Sequence, residues 1–201
     1  MIKVLDKGFI TLLDSMGDDS TITDSARLSY LKEGGDDDSN EKLISRLIKY
    51  NHTSPFEQVE FRFMVKAPLF VARQWMRHRT WSYSEVSRRY TNKDIDFYIP
   101  EKLTKEEEDV YASVIEASLL AYSYLIGNST RKEQARAILP QCMYTTFLAK
   151  TDLHNLFHFL ELRRAPGAQM EIRVYAKAIE KLIAPVVPIA YKLWKEKMEN
   201  N

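Results

Sequence analysis

The chain has 201 residues, a length that suits one compact domain with a buried core, and we predict a single domain over residues 1–201. Its 29 basic and 28 acidic residues give a formal net charge of +1, which argues against a protein that coats nucleic acid, because such proteins carry a strong basic excess. Cys142 is the single cysteine, so an intrachain disulfide framework is excluded and a reducing compartment, the cytoplasm, is expected.

The N-terminal part is predicted to contain one strand segment and two helices. Residues 3–13 favour a strand interrupted by a turn at residues 7–8, and their scattered charges argue against a signal peptide or a membrane span. Helices are predicted at residues 20–30 and 41–50. The segment GGDDDS at residues 34–39 is typical of a surface loop. No other segment approaches a membrane-spanning length, so no membrane association is expected.

The middle of the chain is predicted to contain a strand, a helix and a second helix start. In residues 59–65, Val and Phe alternate with Glu, Arg and Met, which is typical of a half-buried strand. Pro68 suits the first turn of a helix that continues through LFVARQWMR to the basic triplet RHR at residues 77–79. Ser82 and Glu85 have the spacing of a capping box, which predicts that a new helical turn begins there.

The longest predicted helix covers residues 104–126. Thr104 is a candidate cap before an acidic first turn, and Gly127 and Asn128 would stop the helix. Apolar residues recur along it at helical spacing: Val110, Val114, Ala117, Leu120, Ala121 and Tyr124. A shorter helix is expected over residues 132–139.

The C-terminal part is predicted to contain one strand and three helices. Residues 142–150 are rich in aromatic residues and Thr, which favours a strand. Asp152 is expected to cap the next helix. The buried stripe of that helix would be formed by Leu153, Leu156, Phe157 and Leu160. Pro185 and Pro188 split the remainder into two helices, so we predict an α+β fold in which helices pack around a small, mostly antiparallel sheet.

The basic triplet lies at the end of a predicted apolar helix. Gln74, Arg77 and His78 stand at i, i+3 and i+4 and would share one helical face. Basic residues at a helix C-terminus commonly do no more than complement the helix dipole, which is worth about 0.3 to 1 kcal/mol. The apolar and aromatic neighbours instead indicate a buried helix end, where a guanidinium requires an anionic partner.

A second set of donors follows at Ser87, Arg88 and Arg89, directly after the predicted capping box. Free amides at a helix start would favour an anion there. The two sets together suit two halves of a site for one phosphorylated ligand. Ser87 could also be taken for a nucleophile, but no base or orienting acid stands at a readable position, so ligand binding is favoured.

Several motifs in a fixed order extend this pattern along the chain. They are ARQW before RHR with Ser87 after seven further residues, His52-x-Ser54-Pro55-Phe56-Glu57, Arg136 in ARAILP, and Leu162-Arg163 followed by Ala168-Gln169-x-Glu171-Ile172-Arg173. On these motifs the chain resembles the flavin-dependent thymidylate synthases along essentially its whole length.

The resemblance implies a reductive methylation. Members of that family transfer the methylene group of methylenetetrahydrofolate to C5 of dUMP, with reduced FAD as the hydride donor and NADPH as the reductant of the flavin. The products are dTMP and tetrahydrofolate. The implied fold is α+β, and the implied enzyme is a homotetramer with FAD and nucleotide sites at its subunit interfaces, so isolated subunits are expected to be inactive.

The resemblance also implies the residues of the site. Arg163 is the implied catalytic residue, because a fixed cation facing the pyrimidine would stabilise the negative charge that attack pushes toward N3 and O2. The implied dUMP contacts are Gln74, Arg77, Glu85, Ser87, Arg88, Arg89, Arg163 and, from another subunit, Arg136. The implied FAD contacts are Ser29, His52, Ser54, Glu57, Arg77, His78, Arg79, Thr80, Glu85, Asp152, His154 and His158.

The chain departs from the family pattern at several of these positions. Ser84 stands where the family commonly has Asn, and Arg88 stands where it often has Gly. On the late helix, Asp152, His154 and His158 occupy positions where the family tends to place Asn and Arg against the flavin. Backbone contacts to the nucleotide are therefore expected to differ near Ser84 and Arg88.

Two other chemistries would suit residues of this chain. His154, His158 and Glu161 share nearly one helical face and suggest a metal site, but Asn155 stands where an HExxH motif has its glutamate, so no metal is expected. Cys142 could attack the pyrimidine ring, as a cysteine does in the conventional, unrelated thymidylate synthases. Its neighbours offer no activating base, which favours a packing role.

A nucleotide- or RNA-binding module without catalysis is the alternative from a different class. Its stacking platforms would be the aromatic residues interleaved with Arg77, Arg79, Arg88 and Arg89, namely Trp75, Trp81, Tyr83 and Tyr90. This alternative does not explain the cations at Arg136 and Arg163 or the acidic residues Glu57 and Glu85. It predicts a steep salt dependence of binding in place of a flavin spectrum.

Overall fold

The computed structural model describes residues 1–29, 31 and 37–200, with the backbone alone at Asp37. The surface loop predicted at residues 34–39 lies partly outside the described residues, and residues 37–39 belong to a helix. The fold that follows is therefore that of the described part of the chain.

Five strands form one sheet in which every neighbouring pair is antiparallel. The strands are Ile2–Val4 (β1), Gly8–Met16 (β2), Glu60–Pro68 (β3), Ser82–Glu85 (β4) and Tyr144–Asp152 (β5). Their order across the sheet is β1-β2-β3-β5-β4. The strands predicted at residues 59–65 and 142–150 are confirmed, and the predicted turn at residues 7–8 falls at the junction of β1 and β2.

Eight α-helices accompany the sheet in the described residues, so the predicted α+β class is confirmed. They are Asp19–Leu28 (α1), Asp37–Lys49 (α2), Leu69–Trp75 (α3), Lys105–Gly127 (α4), Lys132–Ala135 (α5), Leu153–Arg164 (α6), Met170–Ile183 (α7) and Pro188–Glu199 (α8). Short 3₁₀ helices lie at Ser54–Gln58 and Arg136–Ile138. The helix predicted at residues 132–139 is therefore split into α5 and a 3₁₀ turn.

The main core lies between one face of the sheet and the helices α3, α6 and α7. Phe61 and Val65 of β3 are buried because alternate side chains of a strand point to the same face. Trp75, the last residue of α3, is fully buried and packs on Phe147 of β5 and Phe159 of α6, with ring centroids 5.5 and 4.9 Å apart. This packing places the residues that follow Trp75 beside α6.

The predicted buried stripe of α6 is confirmed. Leu153, Leu156, Phe157 and Leu160 are all buried. Asp152 caps the helix as predicted, because its carboxylate accepts from the backbone N–H of Asn155 at 2.9 Å. The polar residues between them are half-buried, as His154 and Asn155 are, or exposed, as His158 is.

The C-terminal helix α8 is tied to α1 through a buried carboxylate. Asp19 accepts hydrogen bonds from the backbone N–H groups of Ile189 and Ala190 at 2.8 and 2.9 Å. These amides have no partner within their own helix, and a carboxylate at a helix N-terminus is stabilised by the helix dipole. The tie fixes α8 against the body of the molecule, where it forms the wall of a cavity described below.

The long helix α4 leaves one apolar face uncovered, whereas Tyr122 on another side of it is buried. It begins at the predicted cap, Thr104, which forms a capping box with Glu107. Its apolar residues Val110, Val114, Leu120 and Tyr124 are between 53% and 70% exposed. An apolar surface of this kind is typical of a contact with another molecule.

The same helix corrects one sequence-based expectation. By length and composition alone, α4 would also suit a membrane span, so the expectation that no further segment reaches spanning length is wrong for residues 105–127. One such helix is weak evidence for a membrane. Its first turn carries three glutamates, Glu106, Glu107 and Glu108.

The basic triplet does not extend the helix that precedes it. Helix α3 ends at Trp75, and Arg77 and His78 lie in the following turn, so they do not share a helical face with Gln74 as predicted. The backbone N–H of His78 donates to the carbonyl of Trp75 at 3.0 Å, which closes this turn. The turn therefore brings Arg77 and His78 into place through tertiary contacts and not through helical spacing.

The predicted capping box at Ser82 and Glu85 is also wrong. Both residues lie in β4, which pairs with β5. The ladder continues beyond the strand, since the backbone N–H of Val86 donates to the carbonyl of Thr146 at 2.9 Å. Pairing with a neighbouring strand has outweighed the local capping pattern, because a strand edge satisfies several backbone groups and the cap would satisfy two.

Candidate active site

Arg163, near the end of α6, is held against the end of α3. Its Nε donates to Nε2 of His78 at 3.1 Å, and its Nη2 donates to the backbone carbonyl of Gln74 at 3.0 Å. Burial, followed by the nearby charge of Arg77, lowers the pKa of Arg163 from its ordinary value. The guanidinium still keeps its proton at neutral pH. Two segments that are distant in sequence thus meet at one cation.

Arg163 faces an open cleft of about 490 Å³. The lining residues are Phe70, Arg73, Gln74, Arg77, Gln141 and Arg163. Among the described residues, no carboxylate lies within ion-pair distance of the three arginines. Guanidinium groups without a carboxylate partner in a shared cleft form a site for an anion, and phosphate is well matched to their geometry.

Three residues predicted for the nucleotide therefore meet in this cleft, and three others in it were missed. Gln74, Arg77 and Arg163 are the predicted ones. Gln74 is further fixed by the residue that precedes α7, because its Nε2 donates to Oε1 of Gln169 at 2.6 Å. Phe70, Arg73 and Gln141 were not among the predicted site residues, although Arg73 belongs to the quoted ARQW run.

A second group of cations lies between the turn after β4 and α5. Nη2 of Arg89 pairs with the carboxylate of Glu133 at 3.3 Å, and Nε of Arg136 donates to the carbonyl of Glu133 at 3.4 Å. Arg131 is 3.8 Å from the same carboxylate. The hydroxyl of Ser87 accepts from the backbone N–H of Arg89 at 3.3 Å. We call Ser87, Arg89, Glu133 and Arg136 the Glu133 cluster.

The Glu133 cluster and the Arg163 cleft are separate within one chain. Among the described residues, no hydrogen bond or ion pair joins Arg89 or Arg136 to Arg77 or Arg163. The structure places Arg136 beside Arg89 in the same chain. If Arg136 comes to a nucleotide from another subunit, as the resemblance implies, then Arg89 comes with it.

The side chains of two residues predicted to contact the nucleotide form hydrogen bonds within the protein instead. Arg88 is only 7% exposed, and its guanidinium donates to the backbone carbonyls of Lys93 and Asp94, the latter at 2.9 Å. Glu85 accepts from the hydroxyl of Thr145 at 2.6 Å. The side chain of Arg88 therefore holds a loop, and a contact between Arg88 and the nucleotide stays a prediction.

Three of the chain's four histidines line a second cavity, of about 270 Å³. His52, His154 and His158 face it together with Phe157 of α6 and Trp194 of α8. The rings of Phe157 and Trp194 are stacked with centroids 4.7 Å apart and an angle of 3° between their planes. The fourth histidine, His78, lies next to this cavity, since its ring centroid is 6.0 Å from that of His158.

A third cavity, of about 410 Å³, adjoins the second one. Ser29, Ser54 and Arg46 line it, and His52 and Leu47 belong to both cavities. Five of the predicted FAD residues therefore border two neighbouring hollows. Aromatic, imidazole, hydroxyl and guanidinium groups around adjoining hollows fit the fused ring and the diphosphate of a flavin dinucleotide.

Four other predicted FAD residues are not among those that line the two cavities. Glu57, Arg79 and Thr80 are exposed. The carboxylate of Asp152 is occupied by Asn155, whose side-chain amide donates to it at 2.6 Å in addition to the backbone N–H. Asp152 therefore acts first as the cap of α6, and its role toward a cofactor stays a prediction.

The structure offers little support for a metal site or for a nucleophilic cysteine. Among the described residues there is no group of three or more His, Cys, Asp or Glu side chains arranged to hold a metal ion. Cys142 is half-buried, and burial raises the pKa of its thiol, which disfavours the thiolate that a nucleophile requires.

The aromatic residues of the basic stretch are unsuited to stack on nucleic acid bases. Trp75 is fully buried and Trp81 is 5% exposed. The hydroxyl of Tyr83 donates to the carbonyls of Trp75 and His78, at 2.9 and 3.1 Å. Of the four predicted platforms, Tyr90 alone is well exposed. The structure therefore contradicts the stacking surface on which the RNA-binding alternative depended.

Comparison with known proteins gives one consistent result. A family model described as "Thymidylate synthase complementing protein" matches residues 11–189. A protein named flavin-dependent thymidylate synthase from Thermus thermophilus is 45% identical over 211 residues, covering 97% of this chain and 78% of its own. A protein of the same name from Wolbachia pipientis is 42% identical over 215 residues, covering 96% of this chain and 76% of its own.

The architecture is similar to that of a solved enzyme. A crystal structure titled as the UMP/dUMP methylase PolB from Streptomyces cacaoi bound with 5-Br dUMP aligns with a TM-score of 0.89 and 28% identity. The alignment covers 97% of both chains. A second structure of PolB, bound with 5-Br UMP, aligns with a TM-score of 0.87 and 27% identity.

Proposed function

Because the chain belongs to the flavin-dependent thymidylate synthase family, we propose that the Arg163 cleft is where it binds and methylates dUMP. The activity is that of an FAD-dependent thymidylate synthase, which converts dUMP to dTMP. The observation that supports this placement is the set of three guanidinium groups in one cleft without a carboxylate partner among the described residues.

The charges of the cleft suit the charges of the substrate. A nucleotide monophosphate brings about two negative charges at neutral pH, and Arg73 and Arg77 on the outer part of the cleft are exposed enough to meet them. Arg163 is more buried, and its guanidinium is oriented by two hydrogen bonds. We therefore assign the phosphate to the exposed arginines and the pyrimidine to Arg163.

Arg163 would act on the charge that develops in the ring. C5 of uracil becomes a nucleophile toward the one-carbon unit when the ring gives up its N3 proton and holds negative charge on N3 and O2. A fixed cation in a desolvated position stabilises that anionic ring more than the neutral ring. Removing one such donor typically costs about 3 kcal/mol of transition-state stabilisation.

FAD is the cofactor, and the two adjoining cavities are proposed to hold it. Ser29, Ser54 and His52 would bind one part of it, and His154 and His158 would bind another. When bound and reduced, the flavin supplies the hydride. His78 lies between this region and Arg163, so the proposed flavin and pyrimidine sites are neighbours.

Several further parts of the proposal rest on the family. They are methylenetetrahydrofolate as the carbon donor, NADPH as the reductant of the flavin, a cytoplasmic location and a single domain over residues 1–201. None of these determines the assignment of the Arg163 cleft.

We also propose that the complete nucleotide site forms between subunits of a homotetramer. The Glu133 cluster carries predicted nucleotide residues, yet it has no bond to the Arg163 cleft in its own chain. The uncovered apolar face of α4 is a surface for the contact, because Val114 and Leu120 on it are more than half exposed. A second copy of the chain would then bring its Glu133 cluster to the cleft.

Mixing impaired subunits tests both the site and the assembly. Arg163→Ala and Arg89→Ala chains are each expected to have low activity at dUMP concentrations well below the native KM, and mixed tetramers are expected to regain part of it, because some interfaces then carry one intact cleft and one intact Glu133 cluster. The matched control mixes Arg163→Ala with Arg77→Ala chains, where both changes lie in the same cleft and no activity should return. Equal recovery in both mixtures would contradict the shared site.

A further inference from the structure

The cation of Arg163 is held entirely by neutral groups among the described residues. Its Nε bonds to an imidazole nitrogen of His78, and its Nη2 bonds to a peptide carbonyl. A buried guanidinium is more often oriented by a carboxylate, which binds it tightly but offsets its charge. The choice of partner therefore decides how much positive potential remains for a ligand.

His78 is fixed firmly enough to orient another side chain. It is 8% exposed. Its backbone N–H donates to the carbonyl of Trp75, and its own carbonyl accepts from the hydroxyl of Tyr83 at 3.1 Å and from the N–H of Trp81 at 3.3 Å. Its ring lies edge-on to Phe159 with centroids 4.9 Å apart. Backbone and ring are thus both restrained by the core.

The protonation state of His78 suits an acceptor. Burial, followed by the charges of Arg163 and His158, lowers the pKa of His78 to about 4. The imidazole is therefore neutral near pH 7, and a neutral imidazole has one ring nitrogen that accepts a hydrogen bond. This agrees with the bond from Arg163 to Nε2.

We propose that His78 is a positioning residue for the methylation step, which orients the guanidinium of Arg163 toward the pyrimidine while leaving its positive charge uncompensated. This rests on the proposed role of Arg163. In this role His78 touches neither the pyrimidine nor the transferred carbon. It acts by removing the rotational freedom of Arg163, so that the cation is in place before negative charge develops.

Two substitutions in the FAD-loaded oligomer separate orientation from folding. His78→Phe keeps a planar ring against Phe159 but removes the hydrogen-bond acceptor. The rate of a single turnover is expected to fall about 10- to 100-fold, which is no more than the fall expected when the donor itself, Arg163, is removed. The Kd of dUMP should change by no more than about threefold, since the phosphate contacts stay in place, and the rates are compared per bound flavin. His78→Gln offers a neutral oxygen acceptor and is expected to restore the rate to within about fivefold of the native protein.

A double-mutant cycle with Arg163→Lys tests whether His78 acts through Arg163. Lysine has no Nε–H on a planar fork, so His78 has nothing to orient, and His78→Phe should slow Arg163→Lys by less than about twofold. If His78→Phe slows both backgrounds equally, the positioning role is wrong while the role of Arg163 stands.

Other outcomes of the same experiment have separate meanings. A native turnover rate for His78→Phe would also overturn the positioning role. Loss of flavin from both His78→Phe and His78→Gln would assign His78 to the cofactor instead. A native rate for Arg163→Lys together with Arg163→Ala would remove Arg163 from the reaction, and with it the proposed site.

Discussion

The two groups of arginines in this molecule differ in how their charges are compensated. Arg163 is oriented by an imidazole and a carbonyl, and no carboxylate among the described residues pairs with it, with Arg73 or with Arg77. Arg89 is paired with the carboxylate of Glu133, which Arg131 also approaches. The positive charge of the first group is therefore not compensated within the described residues, whereas the charge of the second group is partly neutralised by Glu133.

This difference indicates different roles for the two groups. A cation that is oriented but not neutralised stabilises charge that appears during a reaction, so its loss should lower kcat. A cation that is already paired can share its donors with a phosphate but gains less from it, so its loss should raise KM. The predictions below test this contrast from the largest expected effect to the smallest.

Replacing Arg163 should have the largest effect. Arg163→Ala is expected to lower kcat for dTMP formation by about 10²- to 10³-fold, because one fixed donor to the developing charge is lost. Bound flavin, measured by absorbance of the purified protein, should stay near the native level. Unchanged turnover would remove the distinction between the two groups of arginines.

Replacing Arg88 should show that it belongs to neither group. Arg88→Ala removes two donors from the carbonyls of Lys93 and Asp94 and should lower the free energy of unfolding by about 1 to 3 kcal/mol. The matched control is Lys93→Ala, because Lys93 supplies only its backbone carbonyl. A denaturant titration that gives equal stability for both variants would contradict the structural role of Arg88.

Replacing Arg89 should raise KM for dUMP about tenfold, the effect of one charge-assisted hydrogen bond of about 1.5 kcal/mol, with little change in kcat. Glu133→Gln is the complementary variant. It releases Arg89 from its carboxylate and should lower KM modestly. The contrast fails if Arg89→Ala lowers kcat as strongly as Arg163→Ala does.

Replacing Cys142 should have the smallest effect. Cys142→Ser keeps the size of a half-buried side chain whose thiol pKa is raised by burial, so kcat should stay within about twofold of the native value. Steady-state rates measure this, with circular dichroism as the check on folding. A folded but inactive variant would revive attack on the pyrimidine through sulfur.

Much of the site could be predicted because its chemistry is carried by short motifs. The cations, their order along the chain and the family they indicate were all present in local stretches, and the family is confirmed. What could not be predicted was the partner of each cation. Glu133 lies far in sequence from Arg89, and Trp194 lies far from the histidines with which it lines a cavity, so no local pattern pointed to them.

By itself, the sequence determined the class of fold, the main strands and the caps at Thr104 and Asp152. Alternation along a strand and capping at a helix start depend on residues a few positions apart, so they can be read without knowledge of the fold. The apolar pattern of α4 was equally visible, although not the fact that the chain leaves that face uncovered.

Only the tertiary structure decided which charges meet. It placed Arg163 on His78, 85 residues earlier in the chain, turned Arg88 inward, and made a strand of the segment at Ser82 that local spacing assigned to a helix cap. The reason is that these outcomes depend on strand pairing and core packing between distant segments, whose combined energy exceeds any single local preference.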